Sequence, residues 1–220
     1  ESGLHVVHIN TLTRLLQERL VENTDAYNLT PDDCYLISTA SAFHDIGKVG
    51  IDESILNKPG KLTKEEFETM KEHTLIGASM LDKLEHYKDE KMIKIAYQIC
   101  RWHHERYDGR GYPDGLKGDE IPISAQVVAL ADVYDALTSK RCYKNAYDHE
   151  TAMNMIMSGE CGAFNPLLLK CLYEISPKLR MVVEGDMGEE TYRQEADRLA
   201  ADVMKKKRNY MHKSNWWKYL

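Results

Sequence analysis

Apolar residues Val6, Val7, Ile9, Leu12, Leu15, Leu16 and Leu20 recur at helical spacing and predict an amphipathic opening helix with His5 in its first turn. Thr30, Pro31, Asp32 and Asp33 make a good helix start. The run 35–43 is apolar enough to lie buried before Gly47 permits a stop, so His44 and Asp45 fall at the end of a buried helix. The turn Asn57-Lys58-Pro59-Gly60 is followed by a capping box of Thr63 and Glu66, which starts a helix expected to reach about Leu84 with His73 in its middle. Residues 92–102 read as another buried helix, delivering His103 and His104 to a glycine-rich stretch, 107–119, that contains Pro113 and must be a loop. Ser124 is expected to cap an apolar helix over 125–137 carrying Asp132 and Asp135, and shorter helices are expected from about His149 and from Pro166. With no strand alternation, internal repeat or low-complexity segment, the fold reads as all-α.

After about Pro177 the composition changes. Residues 189–208 are strongly charged, with Tyr192, Ala196, Leu199 and Val203 as a narrow apolar stripe. That is either an appended helix docking on the core or on another subunit, a role to which Trp216 and Trp217 add weight, or a solvated terminal helix held by a few contacts. The expected division is a domain over 1–178 and a helical extension over 179–220.

Composition narrows the classes. Apolar residues at 43% and charged residues at 29% suit a globular chain, and the net charge of −6 argues against a general nucleic-acid coat, which needs a basic surface. A phosphate-bearing ligand would therefore need local help, from metal or from clustered Lys and Arg. The five cysteines are scattered without a CxxC spacing, which suggests neither a disulfide framework nor a thiolate zinc site, and fits a reducing cytoplasm. No stretch reaches the roughly 18 apolar residues of a membrane span, and the first residues lack the basic and apolar regions of a signal peptide.

Five of the nine histidines, His5, His44, His73, His103 and His104, fall at helix starts, ends or buried faces beside Asp45 and Asp132. Imidazole and carboxylate together suit iron, manganese, zinc or nickel rather than calcium. A two-metal site follows: two ions bridged by a carboxylate such as Asp45 can activate a water between them and stabilise both oxygens of an in-line phosphoryl displacement. Singly, a His-Asp pair is common in cores and a His-His pair often marks a satisfied surface. The segment His44-Asp45-Ile46-Gly47-Lys48 says more, because Lys48, one turn on, could neutralise a nonbridging phosphate oxygen. His8, His86, His149 and His212 read as surface or core-edge residues, Asp135 as a structural partner rather than a ligand, Cys100 as a small core residue, and Met153, Met155 and Met157 as packing.

His44-Asp45 with the downstream histidines resembles the HD superfamily of phosphohydrolases. His103-His104-Glu105-Arg106 followed by Asp108-Gly109-Arg110-Gly111-Tyr112-Pro113 resembles its HD-GYP branch, and the likeness runs from Glu1 to about residue 175, through Ile121-Pro122 and the run 129–139. The resemblance implies a helical bundle around a two- or three-metal centre, iron or manganese by family analogy, that hydrolyses cyclic di-GMP to pGpG and often onward to GMP. The positions matching the family's ligands are His5, His44, Asp45, His73, His103, His104 and Asp132, with Asp45 as the bridge and Glu1 as the extra carboxylate of a trinuclear version. Asp45 and Lys48 are the implied catalytic residues. Lys48, Gly111, Tyr112, Pro113, Arg141 and Lys144 are the implied substrate contacts, Tyr112 serving substrate, a protein partner or both. Asn165-Pro166 stands where the family more often has Asp-Pro, with little expected consequence because both residues cap helices. A sensory or receiver domain would precede this segment in a longer protein, and a homodimer is an implied assembly. The alternatives are a non-catalytic module binding a nucleotide or partner, or the same chemistry on another nucleotide such as cyclic GMP-AMP.

Overall fold

The computed structural model describes residues 3–139 and 146–183. Glu1, Arg141, Lys144, His212, the stripe within 189–208 and the Trp216-Trp217 pair lie outside the described residues. The chain divides into two compact units, Glu1–Arg180 and Met181–Leu220. Among the described residues the fold is all-α, its one extended pairing an isolated antiparallel bridge between Asp108 and Lys117.

Among the described residues ten α-helices run in the order α1 (Gly3–Asn23), α2 (Pro31–Ala40), α3 (Glu53–Leu56), α4 (Lys64–Lys71), α5 (His73–Asp82), α6 (Lys91–Trp102), α7 (Ile123–Thr138), α8 (His149–Met157), α9 (Pro166–Glu174) and α10 (Ser176–Val183). No helix among the described residues is long and apolar enough to cross a membrane. The expected starts of α2 and α4 are built as capping boxes, in which Thr30 and Thr63 accept from the backbone of Asp33 and Glu66 and the acidic side chains reach back. Asn165 caps α9 by accepting from the Leu167 N–H, the work an Asp would do there.

Packing follows from which helices are apolar and on how many sides. α1 buries one stripe, Ile9, Leu12, Leu16 and Leu20, and lays it against α2, α7 and α9. α7 is buried almost all round and sits in the middle, touching α1, α6 and α8. α6 packs on α2, α5 and α7. Each fully buried Leu or Ile contributes about 1.5–3 kcal/mol, so the α1–α6–α7 core is what fixes the helix ends where the polar chemistry collects.

Four expectations are corrected. The helix expected to continue to about Leu84 is broken at Glu72, so that His73 opens α5 instead of lying mid-helix. His73 Nδ1 donates to Met70 O at 2.7 Å, the carbonyl that an unbroken helix would offer to the Thr74 N–H, and Glu72 N–H turns back to Thr69 O at 3.1 Å. Ser124 does not cap α7: the helix starts after Pro122, and Ser124 Oγ donates to Gln98 of α6 at 2.9 Å. His149 is a core residue, its ring nitrogens 2.7 Å from the Tyr134 hydroxyl and 2.7 Å from Ser176 Oγ. Of the three methionines on α8, Met153 packs inside while Met157, the last residue of the helix, is exposed.

Candidate metal centre

Five chain segments deliver the site. α1 presents His5 from its first turn. α2 ends at Ala40 and tightens into a 3₁₀ turn at Ser41–Phe43, which hands on His44 and Asp45 before a second 3₁₀ turn at Ile46–Gly50. That second turn lies directly on the start of α5: a Cβ on Gly47 would fall 1.9 Å from His73 O and 2.5 Å from Gly77 N, so only glycine lets the Asp45 turn and the His73 backbone meet. α6 ends at Trp102 and releases His103 and His104, and Asp132 comes from α7.

These residues form two groups. His5, His44 and Asp132 are one, and Asp45, His73, His103 and His104 the other, with the potential ligand atoms of each within 4.8 Å of one another. Asp45 lies between them. Its Oδ2 is 3.1 Å from His44 Nε2, while its Oδ1 is 3.2 Å from His73 Nε2 and 3.9 Å from His103 Nε2. Asp132 Oδ1 stands 3.9 Å from both His5 Nε2 and His44 Nε2. Lys48 Nζ donates to Asp45 Oδ2 at 2.6 Å.

Ring tautomers decide whether such a set fits a cation. His44 Nδ1 donates to Ser41 O at 2.8 Å, His73 Nδ1 to Met70 O at 2.7 Å, and His103 Nδ1 to Ile99 O at 2.9 Å. A carbonyl only accepts, so each proton sits on Nδ1 and each Nε2 carries a lone pair. His5 is turned the same way, Nδ1 donating to Asp135 Oδ2 at 2.6 Å. Lone pairs then face each other, His5 Nε2 to His44 Nε2 at 3.4 Å and His73 Nε2 to His103 Nε2 at 3.5 Å, an arrangement that a cation between them resolves. Burial works in the same direction. Desolvation lowers His73, takes His103 well below the usual histidine range, and brings His104 to about 3, so these rings are neutral, the ligating form, near pH 7. The donor set of imidazole nitrogens and carboxylate oxygens fits a transition-metal pair.

Asp135 is the structural partner its sequence reading made it, and His8, read as a surface or core-edge residue, reaches the same carboxylate. Asp135, 2% exposed, accepts from His5 at Oδ2 and from His8 Nδ1 at Oδ1, the latter at 2.7 Å. Burial raises its pKa, but the hydrogen bonds from His5 and His8 outweigh that and hold the carboxyl well below the usual range. A signal for the pair was present: His5 and His8 on α1, and Asp132 and Asp135 on α7, each repeat at i, i+3 and so face one way.

The Gly111-Tyr112-Pro113 segment lies against the second group. Tyr112 stacks on His104, centroids 4.8 Å apart and planes at 29°, and its N–H donates to His104 O at 3.2 Å. Burial, with the charges of Asp45 and Asp132, pushes its phenol well up, leaving a neutral hydroxyl. A Cβ on Gly111 would fall 2.3 Å from Arg106 N and 2.4 Å from Glu105 Cα. Buried Glu105 ties the far side of the loop by accepting from Asp114 N at 2.7 Å and Gly115 N at 3.0 Å.

Residues 4–164 match the HD domain family. The chain is 44% identical over 173 residues to a probable cyclic di-GMP phosphodiesterase of Vibrio cholerae, covering 77% of this chain and 39% of that protein. It is 38% identical over 174 residues to the 3'3'-cGAMP-specific phosphodiesterase 2 of the same organism, covering 79% and 31%. It is also 41% identical over 155 residues to a cyclic di-GMP phosphodiesterase of Thermotoga maritima, covering 70% and 41%. The chain thus spans less than half the length of these curated relatives. Among solved structures, Bd1817, an HDG"Y"P protein of Bdellovibrio bacteriovorus, superposes with a TM-score of 0.59 at 23% identity over 78% of this chain and 51% of that one, a likeness of fold. With Asp45 between two histidine groups and residues 4–164 matching the family's model, the chain belongs to the HD domain family.

Proposed function

We propose that this chain is a metal-dependent phosphodiesterase that opens a cyclic dinucleotide, taking cyclic di-GMP to pGpG or GMP in bacterial second-messenger signalling. The observation that carries the reading is the Asp45 carboxylate set between two histidine groups, one oxygen toward each. Relatives named as cyclic di-GMP phosphodiesterases support the substrate.

His5, His44 and Asp132 would hold one divalent ion, His73, His103 and His104 another, with Asp45 bridging them and Glu1 extending the set to a third; iron or manganese suits these donors. Ions held there supply Lewis-acid polarisation of the phosphodiester and stabilise charge on the attacking and leaving oxygens. The chain's own residues do the rest. Asp45 fixes the spacing of the two groups. Lys48, anchored on Asp45, places a positive charge where a nonbridging phosphate oxygen would sit. Gly111, Tyr112 and Pro113 wall the site beside His104, and Arg141 and Lys144 are the proposed holders of the second phosphate on an acidic protein.

Residues 1–178 are the proposed catalytic domain and 179–220 a helical extension, preceded in the whole protein by a sensory or receiver domain and assembling as a homodimer in the cytoplasm. Cys34, Cys100 and Cys171 as free thiols support a reducing compartment. The 38% identity to a 3'3'-cGAMP-specific enzyme favours a second reading, the same chemistry on cyclic GMP-AMP.

The deciding experiment is anaerobic turnover of cyclic di-GMP by protein reconstituted with ferrous iron or manganese, with a His44→Ala, Asp45→Ala double variant beside it and products separated by chromatography. Formation of pGpG or GMP by the parent alone is the expected result. A metal-loaded parent that opens cyclic GMP-AMP but not cyclic di-GMP moves the assignment to the second reading, and one that turns over neither sinks both.

A further inference from the structure

The ring contacts that begin at the metal ligands do not end at the Gly-Tyr-Pro loop. Tyr112, stacked on His104, meets Phe67 of α4 edge to face, with centroids 6.4 Å apart and planes at 83°. Lys71 Nζ lies 5.5 Å from the Tyr112 centroid and 5.7 Å from that of Phe67. Phe67 and Lys71 are i, i+4 on one helix and share a face, and their ring contacts show that this face looks toward Tyr112. α4 buries none of its residues, and Phe67 stays 47% exposed. As packing alone this is a poor use of a phenylalanine: about half of its ring is in water, and an ammonium held by Glu68 at 2.6 Å stands over it.

We infer that Phe67 and Lys71 form the base-recognition wall of the substrate site, with a purine stacking on Phe67 and Lys71 donating to the acceptor edge of guanine. Every base has a face to stack, so an exposed ring can hold a purine without reading its edge. A cation over an aromatic pair strengthens the platform. Two ring contacts, of 4.8 and 6.4 Å, connect Phe67 to ligand His104, the scale of a nucleotide reaching from its phosphate to its base. Lysine only donates. Guanine offers O6 and N7, both acceptors, where adenine offers an N6 donor beside N7, so Lys71 favours guanine. The wall rests on the phosphodiesterase reading and adds base specificity to it.

The test uses manganese-loaded protein on cyclic di-GMP, cyclic di-AMP and bis(p-nitrophenyl) phosphate, a phosphodiester with no base to stack. Phe67→Ala should lower the ratio of kcat/KM for cyclic di-GMP to that for the base-free ester roughly tenfold, mainly through KM. Phe67→Trp should restore the ratio, and Lys71→Met should narrow the preference for cyclic di-GMP over cyclic di-AMP. A Phe67→Ala protein that loses both activities in parallel, or neither, overturns the wall while leaving the phosphodiesterase reading intact. An unmoved guanine preference in Lys71→Met overturns the role of Lys71. A parent inactive on every phosphodiester ends the phosphodiesterase reading and the wall with it.

Discussion

His5 Nδ1 donates to Asp135 Oδ2 across 2.6 Å, tying the first turn of α1 to the last turn of α7. The same carboxylate takes His8 Nδ1 and Ser139 Oγ on its other oxygen, so its position is fixed from three directions. Because the proton is held at Nδ1, His5 can turn only a lone pair toward His44 and Asp132. Asp135→Asn keeps the shape but sets an amide N–H₂ against one of the two imidazole N–H groups, freeing or flipping a ring. The expected outcome is a folded protein whose affinity for one of two ions falls roughly 10–100-fold, while the ion on the His73 side stays. Metal content after dialysis against graded chelator reads it. Two ions retained with unchanged affinity would show that Asp135 does not orient His5.

Asp45→Asn tests the bridge by a different pattern of loss. An amide oxygen can serve one histidine group, but its nitrogen then faces the other group's lone pairs without charge to contribute. Binding of both ions should weaken together, where Asp132→Asn should weaken only the ion held by His5 and His44. Isothermal titration with manganese separates the two cases. Equal behaviour of the two variants would mean that Asp45 belongs to a single site.

Much of this was legible before any coordinates. The apolar stripe of α1, the continuous apolar run of α7 and the Thr-Glu signature before α4 each name a helix because 3.6-residue periodicity and capping are local properties. The seven His and Asp positions stood out by their places at helix ends and buried faces, but their assignment to one centre came from motif resemblance, since no local rule says that His5 and His103 meet. What escaped depends on partners distant in sequence. The break at Glu72 needs His73 to claim a carbonyl of the preceding turn, which happens because the ring must face His103. Ser124 leaves its capping role for Gln98 of another helix, and His149 is drawn inside by Tyr134 and Ser176.

Gly47→Ala should uncouple folding from site assembly. The new methyl would lie 1.9 Å from the His73 carbonyl oxygen, which belongs to the backbone and cannot rotate away, so the turn carrying Asp45 must lift off α5. Overpacking of this kind costs about 1–3 kcal/mol or more. The loss should appear as a lower midpoint in denaturant and as weakened binding of the ion that Asp45 shares with His73. Gly60→Ala, with open space around the methyl but a φ of 124°, should reduce stability without touching metal affinity. If the Gly47 variant binds manganese like the parent, the close approach has no bearing on the centre.

Cys100 sets an alkaline limit on the fold. Its Sγ donates to Phe43 O at 2.9 Å, just before the HD pair, and burial, with the charge of Asp45, pushes the thiol from 9.0 up to about 12. Between those values the unfolded chain has lost the proton and the native chain keeps it. The native state therefore binds more protons, and stability must fall as pH rises from 9 toward 12. Denaturant midpoints measured across that range should decline for the parent and decline less for Cys100→Ser, which keeps a donor but cannot titrate there. In the native protein at pH 8, Cys100 should also resist iodoacetamide, since the reactive thiolate is absent and the sulfur is covered. Parallel pH slopes in parent and variant, or labelling of Cys100 as fast as of the half-buried Cys34, would contradict the assignment.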